Sequence, residues 1–101
     1  SGAQFEDSQF QHLTGLTQLT HLDLSDNALN GEHLSNLSAL TMLEVLDLSG
    51  TVIGDAQVPQ FEALSQSGNK IRSIDISNTR ISLTGYEKIT KAFKQATVKE
   101  T

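Results

Sequence analysis

Residues 43–53 read LEVLDLSGTVI, and their spacing decides the fold. Leu46 and Leu48 alternate with Val45, Asp47 and Ser49. That period of two marks a short strand with one face turned inward. Leu43 and Ile53 complete an apolar set at positions 1, 4, 6 and 11 of the stretch. The same set recurs in LTHLDLSDNAL (19–29) and IRSIDISNTRI (71–81), with Asp at position 5 and Ser at position 7 every time. The copies are offset by 24 and 28 residues, a period that suits stacked repeats.

Between these stretches the apolar spacing becomes helical. Leu34, Leu37 and Leu40 mark one face, with polar Thr41 where a seventh-residue leucine would extend it. Val58, Phe61 and Leu64 mark the next face, and Ile89, Phe93 and Ala96 the last. Pro59 suits a first helical turn. Thr84-Gly-Tyr-Glu87 reads as a capping box at the start of the last helix. A strand, a crossover helix and a following strand imply parallel pairing with a right-handed connection. The N-terminal segment lacks the strand pattern. Phe5, Phe10, Leu13 and Leu16 predict a helical or irregular flap that caps the first repeat, with Ser8–Gln11 read as a capping box.

The three stretches resemble the LxxLxLxxNxL signature of the leucine-rich-repeat superfamily. SLTGYEKITKAFKQA, after Ile81, is similar to the helix of its ribonuclease-inhibitor-type members, and GDAQVPQFEALSQSGN follows the same outline. The resemblance implies an α/β fold: a short right-handed solenoid with three parallel strands on a concave face, helices on the convex face and helical end segments. The whole chain, 1–101, is expected to be one domain. Its N-terminal cap spans 1–18, its repeats 19–42, 43–70 and 71–96, and its tail 97–101. In the family an Asn at position 9 turns inward and bonds backbone groups. Asn27 keeps it, and Thr51 and Thr79 replace it. A hydroxyl has one hydrogen to donate and can also accept, so Thr fills part of that role. All three residues are expected to be structural.

Composition narrows the function. The chain has no cysteine, which excludes a disulfide framework, a cysteine nucleophile and cysteine-based zinc sites. This fits a reducing compartment, and an intracellular, cytoplasmic location is expected. No apolar run approaches the ~20 residues of a membrane span, so no membrane partner is expected. The start at Ser1 without Met suits a processed start or a fragment of a longer protein. Residues 1–69 hold nine acids and no Lys or Arg, whereas 70–101 hold seven bases and three acids. Opposite charge at the two ends predicts a monomer with weak self-association at low salt. Lys88, Lys91, Lys94 and Lys99 form a basic stripe without interleaved aromatics, read as a solvated face and not a nucleic-acid site.

Three side chains per strand are expected on the concave face: His21, Asp23 and Ser25; Val45, Asp47 and Ser49; Ser73, Asp75 and Ser77. Strands pair at ~4.8 Å, which would line up three carboxylates. Like charges so placed disfavour ionisation and invite a cation or a basic partner. His21, Asp23 and a nearby Ser could form a triad on paper, but an open sheet face offers no oxyanion hole. The expectation is a non-catalytic module without cofactor or metal that binds a protein partner through the concave face and its rims. Two alternatives stand beside it: an architectural end segment or assembly subunit of a larger repeat protein, and a regulator of an enzyme such as a GTPase or ribonuclease. Members of the superfamily cap actin filaments, inhibit ribonucleases, sense pathogens or activate GTPases. Arg80 is the only arginine expected in a loop.

Overall fold

A computed structural model describes residues 17–27, 34–66, 68 and 70–100. The expected N-terminal cap, with Phe5, Phe10, Leu13, Leu16 and the Ser8–Gln11 box, lies outside these residues. Four strands form one parallel sheet in chain order: β1 (His21–Asp23), β2 (Val45–Asp47), β3 (Ser73–Asp75) and β4 (Thr97–Lys99). A 3₁₀ segment (Leu34–Ala39) links β1 to β2. Helix α1 (Val58–Ser65), after a 3₁₀ turn at Asp55–Gln57, links β2 to β3. Helix α2 (Leu83–Ala92) links β3 to β4. The three crossovers pack side by side behind the sheet.

The core is built in layers that run across the strands. Leu22, Leu46, Ile74 and Val98 occupy one register position. Leu46 and Ile74 are fully buried and Val98 is 8% exposed, while Leu22 at the other end is half-buried. Leu24, Leu48 and Ile76 form the next layer, and Leu43 and Ile71 stack below, all buried. From the helical side, Leu34, Leu37, Leu40, Val58, Phe61, Leu64, Ile89 and Phe93 close the core.

Three expectations change. The sheet has four strands and not three, because residues 97–99, expected as tail, pair with β3. Val98 alone keeps the apolar strand pattern there; Gln95 and Glu100 stand where the other repeats carry apolar residues. The last helix starts earlier than the Thr84–Glu87 box implies. Ser82 is its N-cap, and its hydroxyl accepts from the Gly85 amide at 3.2 Å. That helix also ends at Ala92, so Ala96 packs half-buried from the loop leading into β4.

The turns after the strands share a device. Asp26, Gly50 and Asn78 occupy the same repeat position, and all three have positive φ, between 58° and 71°. Gly, Asn and Asp are the residues that adopt this left-handed conformation most readily. At Gly50 there is a second reason, since an added Cβ would collide with the Asp26 carboxylate. The ladder runs on into these turns: Asp26 N donates to Ser49 O at 2.8 Å, and Gly50 N to Ser77 O at 2.9 Å.

Candidate interaction surface

The register brings the expected side chains together in rows. His21, Val45, Ser73 and Thr97 form one row across the sheet, and Asp23, Asp47, Asp75 and Lys99 another. Sequence reasoning missed Thr97 and Lys99, because the strand that carries them was not legible. The acidic row therefore ends on a cation. On the rim, Arg72 Nε lies 3.0 Å from Glu44 Oε1, an exposed pair that joins neighbouring repeats. An exposed pair of this kind contributes only ~0–1 kcal/mol.

Each aspartate is occupied by the serine two residues on. Asp23 Oδ1 accepts from Ser25 Oγ at 2.6 Å and from Ser25 N at 3.0 Å. Asp47 does the same with Ser49 at 2.7 and 3.0 Å, and Asp75 with Ser77 at 2.6 and 2.9 Å. These short local bonds lock the strand end into its turn. Ser25 and Ser77 are buried and Ser49 is half-buried, so the three serines present little hydroxyl to a partner. The Ser25 hydroxyl and then its amide hold the Asp23 carboxyl below the usual carboxylate range. Hydrogen bonding to the charged form of Asp23 thus outweighs the opposing effect of desolvation.

A triad is not assembled. Asp23 is bonded to Ser25, and His21 Nδ1 lies 3.0 Å from Thr20 Oγ1. No group of three or more His, Cys, Asp or Glu among the described residues is arranged to hold a metal ion.

The position-9 residues point inward. Asn27 Nδ2 donates to Leu24 O at 3.1 Å and Ser25 O at 3.2 Å. Thr51 Oγ1 donates to Leu48 O at 2.8 Å. Thr79 Oγ1 donates to Ile76 O at 2.7 Å and accepts from Ile81 N at 3.4 Å. The hydroxyls satisfy the same carbonyl that Asn27 reaches, and leave out its second one.

Position 9 and the strand register are thus those of one repeat copied along the chain. Family models described as Leucine Rich Repeat and Leucine Rich repeat match residues 18–40 and 39–56. Over residues 18–56 the chain carries leucine-rich repeats. No curated protein matches it. The matched segments cover the first repeat and the strand and turn of the second, and the third follows the same register through β3 and its turn. Proteins of this family generally act as protein-interaction modules and are typically non-catalytic.

The convex side of the solenoid carries a device that sequence reasoning missed. Asp55, in the turn before α1, reaches the next repeat, where its Oδ1 accepts from Ser82 N at 2.9 Å. The bonds from Ser82 hold the Asp55 carboxyl below its ordinary range, with a smaller contribution from Lys88. A Cβ on Gly85 would collide with the Asp55 carboxylate and approach Ile81 Cγ2 to 2.9 Å. Gly85 is therefore the gap that admits the carboxylate to the N-terminus of α2. The pairing of a Gly85 in the first helical turn with an Asp one repeat earlier was the available signal. Between α1 and α2 lies an open groove of about 560 Å³, lined by Glu62, Ser65, Gln66, Lys88, Lys91 and Ala92. Its lining mixes both charges, unlike the mostly apolar wall of a small-molecule pocket.

No helix among the described residues is long and apolar enough to cross a membrane.

Proposed function

We propose that this leucine-rich-repeat chain is a non-catalytic recognition module that binds a protein partner through the concave face of its sheet. The single observation behind this reading is the register that aligns Asp23, Asp47 and Asp75 on one face, with His21, Val45 and Ser73 beside them. Three carboxylates one strand spacing apart favour a partner that presents Lys or Arg side chains at matching intervals. Val45 supplies an apolar contact at the centre of that face, and it is half-buried in the free chain. The aspartate–serine bonds use one carboxylate oxygen and pre-organise the side chain, which lowers the ordering cost of binding.

The helix-bearing crossovers α1 and α2 favour the ribonuclease-inhibitor-type subclass, with the first repeat as a 3₁₀ variant. As one domain, the chain would hold its repeats at 19–42, 43–70 and 71–96, with 97–99 forming a closing strand. The test is affinity capture from native cell extract with the parent chain and a Val45→Ala/Asp47→Lys variant. The parent should retain a protein that the variant loses while circular dichroism and melting stay unchanged. Retention of the same protein by a folded variant would move the binding surface elsewhere.

A further inference from the structure

The crossovers α1 and α2 pack side by side on the convex side, and both walls of the groove between them belong to the described chain. Small side chains line it on both sides, Ser65 from α1 and Ala92 from α2. At one end it continues past Glu62 and Lys88 to Asp55 and Gly85. At the other end a hollow shares Ser65 and Ala92 with it and adds Phe93, Lys94 and Gln95. Charge is graded along this path. Asp55 lies at the first end, Glu62 and Lys88 face the middle, and Lys91 and Lys94 stand towards the second. Lys88 already acts on Asp55. Lys91 and Lys94 are exposed, and among the described residues neither has an ion-pair partner.

We propose that the Lys91–Lys94 end of this groove docks a short, extended, acidic segment of a partner protein. The helices fix its length. Eight-residue α1 is about 12 Å long, which matches roughly four residues of extended chain at ~3.3 Å each. The lining is mainly polar and charged, whereas a docked amphipathic helix needs an apolar stripe. Ala92 and Phe93 give one apolar contact. Charge selects the occupant. Carboxylates on one side of an extended chain stand about 7 Å apart, a spacing that two neighbouring lysine side chains can span. Asp55 and Glu62 repel a uniformly anionic polymer, and Phe93, the aromatic residue in the lining, is too buried to stack a base, so nucleic acid fits less well. The concave face carries the opposite charge in Asp23, Asp47 and Asp75, which steers an acidic segment to the convex side. This surface is separate from the concave-face reading, and it stands or falls independently of it.

The experiment uses a fluorescent peptide of alternating glutamate and alanine, with a lysine–alanine peptide and a single-stranded RNA oligonucleotide as controls. Binding is read by fluorescence anisotropy and by amide NMR shifts. The acidic peptide should bind, and the shifts should centre on Ser65, Lys91 and Ala92. Lys91→Glu combined with Lys94→Glu should weaken binding roughly tenfold. Ala92→Arg fills the groove and should abolish binding; if that variant melts early, the lysine pair still carries the test, since both side chains are exposed. Asp47→Asn and Lys99→Glu, both on the sheet, should bind the peptide as the parent does. Absence of binding up to about 1 mM peptide, equal binding of the lysine peptide, or shifts confined to the sheet overturns the proposal. Tighter binding of the RNA than of the acidic peptide also overturns it, and assigns the lysines to nucleic acid.

Discussion

The first and third repeats solve the same problem with different crossovers. Both advance the strand register by 24 residues, from His21 to Val45 and from Ser73 to Thr97, yet one uses a 3₁₀ segment and the other a ten-residue α-helix. Length therefore does not choose between them. Between its leucines, the first crossover has only Ser35, Asn36, Ser38 and Ala39. Ser and Asn compete for backbone hydrogen bonds and favour α-helix poorly. Leu34, Leu37 and Leu40 recur every third residue, which matches the three-residue turn of a 3₁₀ helix and puts all three in the core. The third crossover has Ser82 as N-cap, Asp55 reaching in from the preceding repeat and Lys91 in its last turn. Local capping and propensity, more than connection length, set the crossover type.

The largest expected effect separates the buried interior from the first strand within one core layer. Ile74→Ala should cost about 2–5 kcal/mol, because the site is fully enclosed. Leu22→Ala, on half-buried β1, should cost about 1–2 kcal/mol by the smaller area involved. Urea denaturation of both variants measures the gap, and equal losses would mean that the N-terminal end is as well covered as the interior.

Gly85→Ala comes next. It raises intrinsic helix propensity by ~1 kcal/mol but drives a methyl group into the Asp55 carboxylate. The net should be a loss of about 1–3 kcal/mol. Combining it with Asp55→Ala should recover much of that loss in a double-mutant cycle. Strict additivity would show that the two residues do not meet and that the third crossover is not capped from the second.

Position 9 gives a finer comparison. Thr51→Val keeps the shape and leaves the Leu48 carbonyl without its hydroxyl, at a cost of about 1–2 kcal/mol. Asn27→Thr should cost about 1 kcal/mol, since it keeps one carbonyl partner and drops the Ser25 carbonyl. Thr51→Asn should stay within about 0.5 kcal/mol of the parent. A large loss from that last change, in thermal melts, would mean the second turn is shaped for Thr alone.

The smallest expected effect is a pH dependence. The folded-state carboxyls of Asp23 and Asp55 are lowered, so their contribution to stability is present above the unfolded carboxylate range, ~3.9. It is lost as pH falls through the lower folded values. Asp55→Asn should flatten the acid limb of a stability–pH profile by lowering stability at neutral pH slightly, toward its value in acid. An unaltered acid limb would remove the inter-repeat cap from the account of the third crossover.

By itself the sequence determined the repeat, the strand register and most of the core. Leu46, Leu48, Ile74 and Ile76 alternate with polar residues, and a period of two leaves only one way to bury them. It also determined which side chains share the concave face, because parallel pairing of equal motifs aligns equal positions. Only the tertiary structure decided what those aspartates do first, since a carboxylate can face a partner or turn to the serine two residues away, and the closed turn brings that serine to 2.6 Å from Asp23. It also decided that Thr97–Lys99 is a strand. One buried valine among polar residues carries no periodicity, and β3 supplies a finished edge to pair with. The Asp55–Ser82 contact is of the same kind, joining residues 27 apart that no local pattern relates. Periodic burial is written in the sequence because it repeats; single contacts between repeats are written only in space.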